Sequence, residues 1–340
     1  MAVKFDNLAP EVLTELAGRG PFDGVVALGD RTTELAAAAA RVLGLRYSPV
    51  EAVRVARSKK LSKECWLAAG VRTARPVTGR FPSVVKPLSE SASRGVIRAN
   101  NLEEQRDAEL RVRKMLGDPD AELVVEEFIP GREFALEGLL TRGSLQMLAI
   151  FDKPDPLDGP FFEESIYVTP SRADAPTQRR LVEEIERAIQ ALGLSDGPVH
   201  AEARVNEQGA WVLEVAPRPI GGLCARALRF TGGLGLEELV IRHAIGEAIP
   251  TGLALEPAAR GVMMIPVPQA GQLEEVRGVA EAEAVKGVEE IRITALRGER
   301  LVAWPEGKAY PGFIFSAADT PAAAENALRE AHARLEFRMA

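Results

Sequence analysis

The segment from Val199 to Arg218, VHAEARVNEQGAWVLEVAPR, places two carboxylates where they could act together. Val199, Ala201, Ala203, Val205, Trp211, Leu213 and Val215 are apolar at alternating positions and predict a face packed on a core. The opposite face carries His200, Glu202, Arg204 and Glu214, with Arg218 just beyond. A hairpin turning at Glu207-Gln208-Gly209 sets Glu202 directly opposite Glu214. Opposed β-carbons lie about 4.5–5.5 Å apart, where like charges repel. An oxygen-rich pair of this kind suits a hard cation such as Mg²⁺, which takes one or two protein carboxylates together with substrate phosphates. A solvated polar face, with Arg204 and Arg218 neutralising the pair, explains the hairpin alone equally well. On either reading, Gln in place of one Glu relieves a repulsion and leaves stability level or slightly raised.

Positive charge of the complementary kind lies upstream. Ser83-Val84-Val85-Lys86-Pro87 puts a lysine inside an apolar strand, followed by a small, hydroxylated loop, Leu88 to Val96, that contains Ser91, Ser93 and Gly95. Backbone amides in such a loop can cradle phosphates while the lysine neutralises them. The frame is not the Gly-Lys-Ser/Thr of a Walker A loop. Val124 to Glu133 then reads as a strand running into a Pro-Gly turn.

These groups need a scaffold. Short β-branched runs predict strands at Ser83–Pro87, Leu123–Ile129, Glu133–Leu140 and Leu145–Phe151, and the apolar run at 24–28 reads as one more buried strand. Helices are expected over 33–43, ending at Gly44, over 58–69, over 102–116, over 177–192, over 234–246 and over 321–335. Residues 152–176, rich in Pro, Asp and Gly, read as a long loop or lid, as does 88–95. The chain of 340 residues has room for two or three lobes, and 46% hydrophobic with 27% charged residues is a globular balance. A net charge of −7 argues against a general nucleic-acid or anionic-membrane binder. Cys65 and Cys224 cannot make a disulfide framework or a cysteine zinc site, and His200, His243 and His332 have no metal-ligand spacing. No membrane span and no signal peptide are predicted, and a cytoplasmic protein is expected.

The order of the pieces resembles the ATP-grasp superfamily: Lys-Pro with its Ser/Gly loop, then Glu-Glu-Phe-Ile-Pro-Gly-x-Glu, then His-x-Glu, then Glu-Val-x-x-Arg-Pro-x-Gly-Gly. Gly-Val-Met-Met-Ile-Pro from Gly261 and GKAYPGFIF from Gly307 to Phe315 are similar to the C-terminal domain of its L-amino acid ligase branch. The resemblance implies an α/β (α+β) ATP-grasp fold with three parts. These are a shortened N-terminal α/β domain over 1–55, a grasp domain over 56–255 with lobes at about 71–128 and 129–255, and a small C-terminal α+β domain over 256–340. It implies ATP and Mg²⁺, or Mn²⁺ in its place, small-molecule carboxylate and amine partners, and a homodimer as the superfamily's usual habit. Lys59, with Lys60 as the neighbouring alternative, and Lys86 would hold the nucleotide phosphates under Ser91, Ser93 and Gly95. Glu126, Glu127, Phe128 and Ile129 would form the hinge against adenine, Glu133 would contact ribose, and His200 the nucleotide. Glu202 and Glu214 would be the metal ligands, and Arg218 would hold the transferred phosphate. Lys153, Glu164, Tyr167, Gly221 and Gly222 would meet substrate, Glu164 by binding an ammonium group. Ala216 stands where relatives usually carry an Asn metal contact. The implied activity is an ATP-dependent carboxylate–amine ligase. A carboxylase, a formate-dependent transformylase and a nucleotide-binding protein with decayed catalysis are the alternatives.

Overall fold

Helix boundaries follow local chemistry. In the computed structural model, which describes residues 10–340, the chain begins with α1 (Pro10–Ala17), α2 (Asp30–Leu43), α3 (Val50–Arg57) and α4 (Lys59–Ala68). Ala36 to Ala40 bury the inner face of α2, and Gly44 ends it in a left-handed conformation, φ +69°. The helix expected over 58–69 is α4, and α3 precedes it as a further helix; Ser58 separates the two and caps α4, its side chain accepting from the Leu61 amide at 3.3 Å. The strand expected at 24–28 does not form, and no strand precedes Ser83 among the described residues. Among the described residues that run has no neighbouring strand to complete a ladder. It lies against the end of a later helix instead, so closely that a Cβ on Gly24 would stand 2.7 Å from the Ala244 carbonyl oxygen.

A small antiparallel sheet follows, β2–β1–β3, from β1 (Ser83–Pro87), β2 (Ile97–Ala99) and β3 (Leu123–Glu127), with α5 (Leu102–Leu116) between β2 and β3 in the chain. The Asn101 side chain caps α5 by accepting from the Glu104 amide. Val85, Ile97, Ala108 and Val112 make this lobe's own core.

The central sheet has eight antiparallel strands. One half of it is β5 (Ser144–Lys153), β4 (Arg132–Thr141), β7 (Gly197–Asn206) and β8 (Gly209–Ala216), ordered β5–β4–β7–β8 with β8 at the edge. β4 is buried on both faces. Phe134, Leu136 and Leu140 pack under α6 (Ala175–Leu192) through Leu181, Ile185 and Ile189. Ala135 and Leu139 face the other way, onto the turn Cys224–Ala227 and, beyond the two-residue strands β9 (Arg229–Phe230) and β10 (Leu234–Gly235), onto α7 (Leu236–Ala244).

Residues 152–176 are not simply a loop. They contain β6 (Ile166–Thr169), and Phe162, Ile166, Tyr167 and Val168 are buried. The short strand was hidden in a Pro- and Gly-rich stretch because four residues give too little alternation to read. It joins β5 to β11 (Ala259–Met264), so the sheet crosses the boundary expected near 256 without a break. The remaining elements are β12 (Gly271–Arg277), α8 (Val279–Glu283), β13 (Val288–Ile293), β14 (Arg300–Leu301), β15 (Gly312–Ala318), α9 (Pro321–His332) and β16 (Glu336–Met339). β11, β15 and β13 extend the central sheet, while β14, β12 and β16 form a separate small one. Leu328 of α9 is fully buried against this extension. Leu328→Ala should cost about 2–5 kcal/mol. Because the sheet is continuous, denaturant unfolding should shift as one transition, and a separate early transition would show that the C-terminal part melts alone.

Candidate active site

One face of β5, β4, β7 and β8 carries a cluster of charged side chains. Register places Glu133 of β4 beside Lys153 of β5 and Arg204 of β7, Glu137 beside His200, and Glu202 beside Glu214. The Lys153 ammonium is enclosed by three carboxylates: Glu133 at 2.7 Å, Glu164 at 2.9 Å and Glu202 at 2.6 Å. Burial alone would lower its pKa, but these carboxylates hold it charged, well above the ordinary lysine value. Burial likewise opposes ionisation of Glu202, yet Lys153 and His200 hold that carboxyl well below the usual range. Burial wins at Glu164, which is pushed up to about 7 in spite of Lys153. His200 is buried, but Glu137 and Glu202 outweigh the desolvation and raise it to about 10, so it is an imidazolium at neutral pH.

The opposition of Glu202 and Glu214 is as expected from the alternation, but the pairing slips by one residue directly after Glu202. This bulge turns Val212 into the core and frees Leu213, expected on the core face, to line the cavity in front of the sheet. The two carboxylates differ. Glu202 is tied to Lys153, with the Tyr167 hydroxyl at 3.3 Å, whereas the Glu214 side chain is 30% exposed with the Lys59 ammonium 3.7 Å away.

The cavity is about 310 Å³. Lys59, Lys86, Ser91 and Ser93 line it, together with Glu126, Glu127, Phe128 and Ile129. So do Glu133, His200, Glu202, Glu214 and Arg218, and also Glu164, Tyr167, Gly221 and Gly222. Lys59 donates to the Glu90 carbonyl at 2.6 Å, while Lys60 lies outside, paired with Glu122 at the surface. Lys86 reaches Glu126 at 2.5 Å.

Three expectations change. Gly95 does not line the cavity: its φ is +72° and a Cβ there would lie 2.6 Å from the Met115 methyl, so its role is to let the backbone turn. Lys153 does not line it either; it lies beneath the floor as an internal counter-ion. Glu133 reaches the cavity, but its oxygens are engaged, one by Lys153 and the other by Arg204 at 2.9 Å, which leaves a ribose contact little capacity.

Several groups were not anticipated. Asp30, the first residue of α2, pairs with Arg218 at 2.7 Å. Lys63 is buried between Glu126, at 2.9 Å, and Thr73; its four-residue spacing from Lys59 on one helix face was the available signal. Cys224, Met264 and Tyr310 also line the cavity; Met264 and Tyr310 lie in the two C-terminal motifs, to which the resemblance attaches no site role.

The donor set fits a hard divalent cation. Glu202 and Glu214 offer carboxylate oxygens from facing strands, and the buried Ala216 offers none. Oxygens of Glu133, Glu164 and Glu202 also cluster within 4.8 Å of one another, but the Lys153 ammonium already holds that place.

Residues 79–227 match the family model of the ATP-grasp domain, and residues 263–340 match that of the L-amino acid ligase C-terminal domain 2. The L-amino acid ligase of Bacillus licheniformis is 27% identical, with a TM-score of 0.82 over 97% of this chain and 84% of that one. The alanine–anticapsin ligase of Bacillus amyloliquefaciens is 25% identical over 68% of this chain and 56% of that protein. The ATP-grasp enzyme fsqD of Aspergillus fumigatus is 24% identical over 71% of this chain and 50% of that protein. The chain spans about half the length of the curated relatives it matches. With the fold and these matches together, the chain carries an ATP-grasp domain followed by an L-amino acid ligase C-terminal domain.

Proposed function

We propose that this protein is an ATP-dependent carboxylate–amine ligase that joins small molecules of the amino-acid class and releases ADP and phosphate. The observation that carries the reading is the pair Glu202 and Glu214, set opposite each other in a cavity that also holds Lys59, Lys86 and Arg218. A carboxylate is a poor acyl donor because oxide is a poor leaving group. In the first step a substrate carboxylate oxygen attacks the γ-phosphorus of ATP, the bond to the bridging oxygen breaks, and ADP leaves. In the second, an amine nitrogen attacks the acyl carbon of the acyl phosphate, phosphate leaves and the nitrogen loses its proton.

The chain's contribution is positioning and charge. Lys59 and Lys86 neutralise phosphate oxygens, with Ser91 and Ser93 offered from the loop. Glu126 to Ile129 border the space for the base. Arg218, held by Asp30, faces the transferred phosphate, and Glu164 and Tyr167 border the amino-acid end near Gly221 and Gly222. Glu202 and Glu214 would hold Mg²⁺, or Mn²⁺ in its place, which when bound neutralises phosphate charge and orients the γ-phosphoryl group. No described helix is long and apolar enough to cross a membrane. The two unpaired cysteines fit a reducing, cytoplasmic setting, and a homodimer is the assembly we propose.

The two glutamates separate stability from activity. Contrary to the level stability expected from the hairpin alone, Glu202→Gln should destabilise the metal-free protein by about 1–3 kcal/mol, since it weakens a buried charge-paired contact to Lys153. Glu214→Gln should stay within about 0.5 kcal/mol of wild type because the side chain is partly solvated. Both should lower ATP-dependent phosphate release, measured across a panel of amino acids and amino-acid pairs, by about 100-fold or more. Full turnover in Glu214→Gln would remove the metal assignment. Lys86→Ala should raise the KM for ATP by about tenfold or more, because the nucleotide loses a counter-charge while Glu126 retains Lys63. A KM equal to wild type would take Lys86 out of the phosphate site.

A further inference from the structure

The phosphate-side loop is fastened to the C-terminal domain rather than left free. The Trp304 indole Nε1–H donates to the Ala92 carbonyl at 3.0 Å, the Gly95 amide to the Pro305 carbonyl at 2.9 Å, and Arg94 Nε to the Glu306 carbonyl at 3.2 Å. Behind the loop, Arg111 of α5 grips the Glu306 carboxylate with two hydrogen bonds, at 2.5 and 2.9 Å. Ala92 and Ser93 sit at φ +53° and +54°, a left-handed backbone that non-glycine residues keep only where neighbours hold them.

The same tryptophan leads to the other end of the cavity. Its ring stacks on Tyr310, with centroids 4.7 Å apart and 27° between planes. Tyr310 lines the cavity, as do Glu164, Met264 and Gly222, and its buried hydroxyl has no hydrogen-bond partner among the described residues. A buried, unpaired hydroxyl is costly, and a polar group arriving beside it removes that cost. A ligand shifts a conformational equilibrium only by its differential affinity for the two states, and here the hydroxyl supplies a difference.

We propose that the stacked pair Trp304–Tyr310 couples the two halves of the cavity: an amino-acid substrate that hydrogen-bonds the Tyr310 hydroxyl, its amine shared with Glu164, steadies Trp304 and through it the 88–95 loop over the nucleotide. Trp304 is thus a positioning residue, and Tyr310 a substrate contact contributed by the C-terminal domain. The consequence is that the phosphates are fully clasped only when an acceptor for the phosphoryl group is present, which suppresses idle hydrolysis.

The coupling rests on the ligase reading above, and binding measurements separate the two. Calorimetry on the full chain measures the affinity for a non-hydrolysable ATP analogue with Mg²⁺, with and without an equimolar mixture of the twenty common L-amino acids. Wild type should bind the analogue about fivefold more tightly with the mixture present. Trp304→Phe, which keeps a ring but loses the Nε1–H, should weaken analogue binding by about fivefold and speed amide exchange across 88–95. Arg111→Met, at a more exposed pair, loosens the same latch from behind and should act in the same direction should Trp304→Phe fail to fold. Tyr310→Phe should abolish the tightening caused by the mixture. Wild-type affinity in both latch variants, tightening retained in Tyr310→Phe, or no tightening in wild type while the analogue still binds would each overturn the coupling alone. Failure of wild type to bind the analogue would overturn the nucleotide reading and the coupling with it.

Discussion

The buried Lys153 ammonium and its three carboxylates fix most of what surrounds the cavity. An ion taken out of water loses its hydration and is tolerated only where partners replace it closely. Lys153 closes β5, Glu133 opens β4, Glu202 lies in β7, and Glu164 stands just before β6. Satisfying one cation therefore pins three strands and the segment leading into a fourth. It also fixes the side chain of Glu202, whose neighbours His200 and Tyr167 reach the same oxygen. A site whose first carboxylate is held this way needs little rearrangement to receive a cation.

The same logic explains why distant parts of the chain meet here. Arg218 follows β8, yet its partner is Asp30, at the start of an N-terminal helix. Asp30 keeps its carboxyl low against the pull of burial because Arg218 faces it. The loop between β1 and β2 is held by carbonyls and an indole from 304–306, far along the chain. The central lobe supplies the charged floor, and the chain's two ends supply the groups that orient its cationic side chains and its loop.

What could be read in the sequence was whatever alternation and local caps encode. Glu202 and Glu214 were legible because a hairpin's geometry is set by its turn, and the α5 boundaries because Asn101 and Gly117 are strong local signals. The slip after Glu202 was not, since a bulge changes which residues face the core without changing which residues are apolar. The strand expected at 24–28 failed for a different reason: a strand is a property of a pair, and no partner strand lies beside this run among the described residues. Lys153, Lys63 and Tyr310 share a third difficulty. Each is defined by neighbours far along the chain, so composition places them no better on a substrate surface than beneath it. The long segment 152–176 likewise took its order from β5 and β11 on either side.

Charge is distributed across the cavity in a way that no single residue conveys. Around β1 and β3, Lys59 and Lys63 of α4 and Lys86 of β1 face Glu126 and Glu127, so positive charge is in excess. On the central sheet, Glu133, Glu137, Glu164, Glu202 and Glu214 face Lys153, Arg204 and His200, so negative charge is in excess. Two surfaces of opposite sign with a low-dielectric floor orient a polyanion and a cation without contacts to every atom. Such a cavity draws anionic groups to the lysine side and cationic groups to the carboxylate side. A binding site for one anion would need only the first surface. The presence of both, joined by the buried Lys153 and its neighbours, is the feature on which the proposed pairing of a phosphate donor with its acceptor rests.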